Sequence, residues 1–118
     1  MNYKFINTEY LDSVAGGDND IIREIVVMFK EQVVEFQHEM ADLLSRKEYH
    51  LLGLLAHKAK SSVAVMGMGD LAITLKQFEL QAREGIEIDK YESYIEKFRH
   101  DTTEAVRELE DMVQNRLK

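Results

Sequence analysis

Residues 22–43 read IREIVVMFKEQVVEFQHEMADL. The apolar positions Ile22, Ile25, Val26, Phe29, Val33, Phe36, Met40 and Leu43 recur in steps of three and four, which places them on one stripe of a helix. A strand would alternate instead. Upstream, Asp18 suits the N-cap of this long helix. Gly16 and Gly17 suit the end of a short helix that Asn7 opens and that runs through Val14.

Downstream the same spacing returns three times. Leu52, Leu55, Ala59, Ser62 and Met66 mark a second helix, after which Gly67 and Gly69 predict a turn. Leu71, Leu75, Phe78 and Ala82 mark a shorter third helix closed by Gly85. A fourth opens at Asp89-Lys90-Tyr91-Glu92, a capping box with Asp in the Ser/Thr place, and continues through Ile95, Phe98, Thr102, Ala105, Leu109 and Met112. The chain contains no proline to break any of these. Four amphipathic helices joined by connections of a few residues bury their stripes most simply as an all-α, antiparallel up-down four-helix bundle, with the short N-terminal helix capping one end. Nothing resembling a linker or a repeat divides the chain, so residues 1–118 are expected to form one domain.

Composition narrows the function classes. Apolar residues make up 45% and charged residues 31%, the balance of a folding globular chain. The absence of cysteine excludes disulfides, thiolate metal sites and a thiol nucleophile. A formal net charge of −7 argues against nucleic acid, whose phosphates call for clustered Lys and Arg, and in favour of a protein partner. The opening MNYKFINTEY lacks a signal-peptide apolar core and no stretch is long enough to span a bilayer, so a cytoplasmic location without membrane attachment is expected.

One stretch stands out chemically. In AHKAKSSVAVMG, residues 56–67, His57 falls about 170° from the core stripe of the second helix at roughly 100° per residue, and is expected to face water. Its neighbours on that face are Gly53, Lys60, Ser61 and Ala64. All but the lysine are small, although a glycine inside a helix costs about 1 kcal/mol against alanine. Small neighbours leave an imidazole open to a bulky partner. An imidazole is largely neutral at cellular pH and can attack through a ring nitrogen, and an ammonium one turn away can offset the charge of a phosphoryl group in transit.

The run His57-Lys58-Ala59-Lys60-Ser61-Ser62, then three small or β-branched residues, then Met66-Gly67-Met68 and Leu71, resembles the core motif of histidine-containing phosphotransfer (HPt) domains of phosphorelays. That motif runs approximately H-x-[apolar]-K-[G/S]-[S/A]-x-x-x-[apolar]-G. The resemblance extends to Phe78-Glu79, to Ala82-Arg83-Glu84-Gly85 and to the lead-in from Tyr10-Leu11 to Gly17-Asp18, and so covers nearly the whole chain. Two positions depart from the pattern: Ser61 stands where glycine is frequent, and Ala59 where a larger apolar residue is usual.

The resemblance implies a phosphoryl carrier without kinase activity of its own. His57 would take a phosphoryl group on Nε2 from the phospho-aspartate of a receiver (response regulator) domain and yield it to another, with Lys60 offsetting charge on the phosphoryl oxygens. Glu79, about 70° off its core stripe, would reach across to accept the Nδ1 proton and hold Nε2 free. Gly53, Ser61 and Ala64 would leave room for the docking receiver, and Gly67 would permit a tight exit from the second helix. Mg²⁺ would come with the receiver, because no carboxylate cluster surrounds His57, and no cofactor or metal of the chain's own is expected. A hybrid histidine kinase is a further expected partner, and a single copy of the site suggests a monomer.

Three other readings compete. A histidine kinase needs glycine-rich ATP-binding loops that this chain lacks, and its histidine is commonly followed by an acidic residue rather than Lys58. A di-iron bundle needs two Glu-x-x-His elements, whereas only Glu35-Phe36-Gln37-His38 fits, which leaves His38, His50 and His100 as solvated or border residues. A helical adaptor that binds a partner without chemistry draws some support from Ile73 and Leu80, opposite the core stripe of the third helix unless they pack under the N-terminal one.

Overall fold

Capping residues set the turns of this chain. Asn7 accepts a hydrogen bond from Tyr10 N at 3.0 Å and opens α1, Thr8–Ala15. Gly16 then takes the left-handed backbone (φ 62°) that closes the helix without a Cβ penalty. Asp18 accepts from the backbone N–H groups of Asp20 and Ile21 and starts α2, Asn19–Ser45. The computed structural model describes residues 3–116, so the expected single domain over 1–118 extends past the described residues at both ends. The remaining helices are α3 (Tyr49–Val65), α4 (Gly69–Glu84) and α5 (Tyr91–Arg116), and among the described residues there is no strand.

Three local expectations shift. Gly69 is the first residue of α4 rather than part of a loose turn. Asp89 sits within a 3-10 turn, Ile88–Lys90, that feeds directly into α5, so it does not occupy the N-cap of a capping box. Ser62 is half-buried and donates to Gln32 Oε1 at 2.9 Å, while its neighbour Val63 is the buried residue of that turn. A hydroxyl at the edge of the stripe keeps a polar partner, and the branched apolar side chain fills the interior.

The helices enclose one hydrophobic core, with α2 packed on α3 and α5, α4 packed on α3 and α5, and α1 resting on α2 and α3. Phe29, Phe78, Tyr91 and Phe98 are its largest members, each fully buried. Each contributes about 1.5–3 kcal/mol through removal of apolar surface from water. Its polar members are partnered: Tyr91 Oη lies 2.9 Å from the Gln81 carbonyl and 2.6 Å from that of Ile86, tying α5 to the end of α4. Thr102 donates to the Phe98 carbonyl and accepts from Gln37 Nε2.

The segment before α1 is strapped to α5. Backbone N–H groups of Lys4, Phe5 and Ile6 all donate to the Glu108 carboxylate, at 2.9, 2.9 and 3.1 Å. At its far end Asn7 N donates to the Met66 carbonyl, and Gly67 (φ 76°) lies so close that a Cβ there would come within 2.4 Å of Asn7 Cβ. Gly67 therefore serves both the exit from α3 and the seating of this segment. No helix among the described residues is long and apolar enough to cross a membrane.

Candidate functional site

The site lies on the seam between α3 and α4, which run antiparallel there. Gly53 on α3 faces Arg83 and the backbone of Glu79, while His57 and Lys60, one and two turns further along α3, reach the Glu79 side chain. Gly53 has no side chain to hold α4 away, and a Cβ there would stand 3.0 Å from Arg83 N and 3.1 Å from the Glu79 carbonyl oxygen. The absence of that Cβ is what lets Glu79 sit under the ring of His57.

Glu79 is almost wholly buried, yet every direction around its carboxylate is answered by a positive or donating group. His57 Nδ1 lies 3.1 Å and Lys60 Nζ 3.2 Å from Oε1, and Arg83 Nη2 lies 3.2 Å from Oε2. Burial pushes the Glu79 carboxyl up, but hydrogen bonds and charge from His57 and Lys60 outweigh it and hold the group below its ordinary 4.5. It is therefore an ionised acceptor at neutral pH.

That charge state decides the tautomer of His57. A carboxylate can only accept, so the 3.1 Å contact requires a proton on Nδ1. Lys60 Nζ stands 3.5 Å from the same nitrogen, but an ammonium cannot donate to a nitrogen that already carries a proton, so its hydrogen bond goes to Glu79. In the neutral ring Nε2 then holds the lone pair. No partner among the described residues bonds it, and about half of the side chain is open to solvent. Such an arrangement supports nucleophilic attack from Nε2 and stabilises the imidazolium that results.

His57, Lys60 and Glu79, singled out from the sequence, thus come together within hydrogen-bond reach. Ser61 is exposed and Ala64 half-buried, next to an apolar groove of about 370 Å³ that Ser61 shares with Val14, Met28 and Val65. Gly53 is a correction: it is buried under Arg83, not part of an open face, because the buried arc of α3 includes Leu52, Gly53, Leu55, Ala56, Ala59 and Val63 and is wider than one stripe. A helix flanked by two neighbours buries more than a single-stripe wheel allows. Arg83 was not singled out as a site residue, although its i,i+4 spacing from Glu79 is the signal of such a pair.

The other histidines divide. His38 and His50 are exposed, whereas His100, also exposed, has its Nδ1 3.0 Å from Asp101 Oδ1. Glu35 and His38 belong to no cluster of three or more potential metal ligands among the described residues. Ile73 and Leu80 are open to solvent and do not pack under α1. Compared with protein-family models, with curated proteins and with solved structures, the chain matches none.

Proposed function

We propose that this chain is a histidine phosphotransfer domain of a phosphorelay, an antiparallel up-down bundle of α2–α5 capped by α1, in which His57 carries the phosphoryl group. The observation that carries the reading is the buried, ionised Glu79 accepting from His57 Nδ1, which leaves Nε2 as a free, solvent-facing nucleophile.

In the first transfer the Nε2 lone pair attacks the phosphorus of a receiver's aspartyl phosphate, an N–P bond forms, and the acyl P–O bond breaks with its electrons returning to the receiver carboxylate. Nδ1 keeps its proton and donates it to Glu79 throughout, and the carboxylate offsets the imidazolium charge. In the second transfer another receiver's carboxylate attacks phosphorus and the electrons of the N–P bond return to Nε2. Lys60 places positive charge beside the transferring group, where charge stabilisation and positioning do most of the catalysis. Mg²⁺ belongs to the receiver in this scheme. The apolar groove beside Ser61 suits a receiver's docking helix, a single reactive histidine of this kind suits a monomer, and the reading carries with it a cytoplasmic location.

The test is to mix the purified protein with a panel of phosphorylated receiver domains and follow acid-labile, alkali-stable phosphate onto it, with His57→Gln in parallel. Label on the wild type alone is the expected result. Absence of label from every receiver, or equal label on the variant, overturns the reading. The adaptor reading then takes its place; Ile73 and Leu80, 63% and 52% exposed on α4, give it some support but suit a receiver's docking surface equally. An adaptor of this kind still binds its partner after His57→Gln.

A further inference from the structure

Two permanent cations share the buried carboxylate of Glu79, and they hold it differently. Arg83 stands four residues further along the same helix, with Nη2 3.2 Å from Oε2. That ion pair is made within α4 and does not depend on how α3 is placed. Arg83 also passes over Gly53, where a Cβ would come within 2.9 Å of its Cγ, so the missing side chain on α3 makes room for it. Lys60 instead reaches across the seam to Oε1 at 3.2 Å, the oxygen that also faces His57 Nδ1 at 3.1 Å.

Lys60 cannot serve Glu79 and a phosphoryl group from one position. Its ammonium, 3.5 Å from Nδ1, stands on the Glu79 side of the imidazole. A phosphoryl group on Nε2 points away from Glu79, because the two nitrogens project from opposite sides of the ring. To reach the phosphoryl oxygens the ammonium has to leave Oε1, and its flexible four-carbon stem allows that. A carboxylate that is 3% exposed does not give up a cation without a replacement. Two groups answer this. Arg83 stays on Oε2, and the imidazolium formed when Nε2 takes phosphorus faces Oε1 through its Nδ1 proton. Glu79 then has two cations at each stage: Lys60 and Arg83 before transfer, His57 and Arg83 after it.

We propose that Arg83 is a positioning residue that frees Lys60: it retains the Glu79 carboxylate while Lys60 passes from Glu79 to the phosphoryl group on His57. The inference rests on the reading of His57 as phosphoryl acceptor, but not on a receiver as donor. With phosphoramidate the Nε2 lone pair forms the N–P bond, the donor's own P–N bond breaks, and ammonia leaves with the electron pair.

The experiment follows phosphoramidate labelling of His57 in the intact protein by peptide mass mapping over time. Arg83→Met should slow labelling about tenfold, because Lys60 is then pinned to Glu79, and Arg83→Lys should recover most of the rate. Lys60→Met should cost several-fold less in the Arg83→Met background than in the wild type, the signature of two residues acting on one step. Independent effects of the two substitutions, or no recovery with Arg83→Lys, overturn the proposal. A structure of the wild type phosphorylated on His57 tests it without any variant. Lys60 Nζ on a phosphoryl oxygen with Arg83 still on Glu79 is expected, whereas Lys60 held on Glu79, or Arg83 moved to the phosphoryl group, overturns it. Absence of label at His57 from phosphoramidate overturns it as well. Label from phosphoramidate with none from any receiver removes the phosphorelay reading and leaves Arg83 judged on the measurements above.

Discussion

Arg83 lies across Gly53: a Cβ built at residue 53 would stand 2.9 Å from Arg83 Cγ, and closer than 3.2 Å to backbone atoms of both Arg83 and Glu79. The flexible Arg83 side chain can move aside, but the α4 backbone cannot without carrying Glu79 away from His57. The absence of one side chain on α3 thus sets the distance at which the acid and the imidazole meet.

Gly53→Ala is therefore expected to destabilise the protein, even though alanine is the better helix former by about 1 kcal/mol. Overpacking against rigid backbone costs about 1–3 kcal/mol, and the net loss is to be read from the urea midpoint. Phosphoryl acceptance by His57 should slow in the same variant. An increase in stability with unchanged transfer would contradict the close packing of this seam.

Glu79→Gln keeps the size of the side chain and removes its charge. Leaving Lys60 and Arg83 without their carboxylate should cost about 1–3 kcal/mol at neutral pH. The sign with pH follows from the depressed carboxyl. Glu79 stabilises the fold above its ordinary 4.5, and that contribution is lost as pH falls through the lower folded value. Urea unfolding at a series of pH values should then show the wild type losing more stability below pH 4.5 than the variant does.

Lys60→Ala takes one cation from the buried Glu79 carboxylate and one charge from the transfer site. With Arg83 and His57 still in place, stability should fall by about 1–3 kcal/mol. Loss of a positive charge beside the transferring phosphoryl group should slow transfer from a receiver on the order of 100-fold. Rapid-quench transfer kinetics alongside a denaturation curve check both halves.

Glu108→Ala tests the strap. Three backbone donors lose their acceptor, which should cost about 1–2 kcal/mol. Hydrogen exchange should quicken at Lys4, Phe5 and Ile6, while labelling of His57 by phosphoramidate stays as in the wild type.

Much of this was legible in the sequence where local physics decides. Asn7, Asp18, Gly16 and Gly85 punctuate the helices as their capping chemistry requires, and the stripe from Ile22 to Leu43 faces the core. Glu79 was placed at the border of its helix by angle, but angle alone does not say how deep a residue lies. Its burial comes from how closely α4 approaches, and Gly53, read as an open position, is what permits that approach. Arg83 escaped for the same reason. Its partner Glu79 is expected from the sequence to meet His57 alone, and only contact across the seam reveals how many cations that carboxylate holds. At Asp89 a local signal was present, yet the 3-10 turn beginning after Glu87 (φ 57°) brings the chain into α5 without using it.

The most direct measurement is which ring nitrogen of His57 carries phosphate. After transfer from a receiver, ³¹P and ¹⁵N NMR of the phosphoprotein distinguish the two isomers. The account predicts phosphate on Nε2, with Nδ1 still protonated and bonded to Glu79. Phosphate on Nδ1, or none on His57, would contradict it.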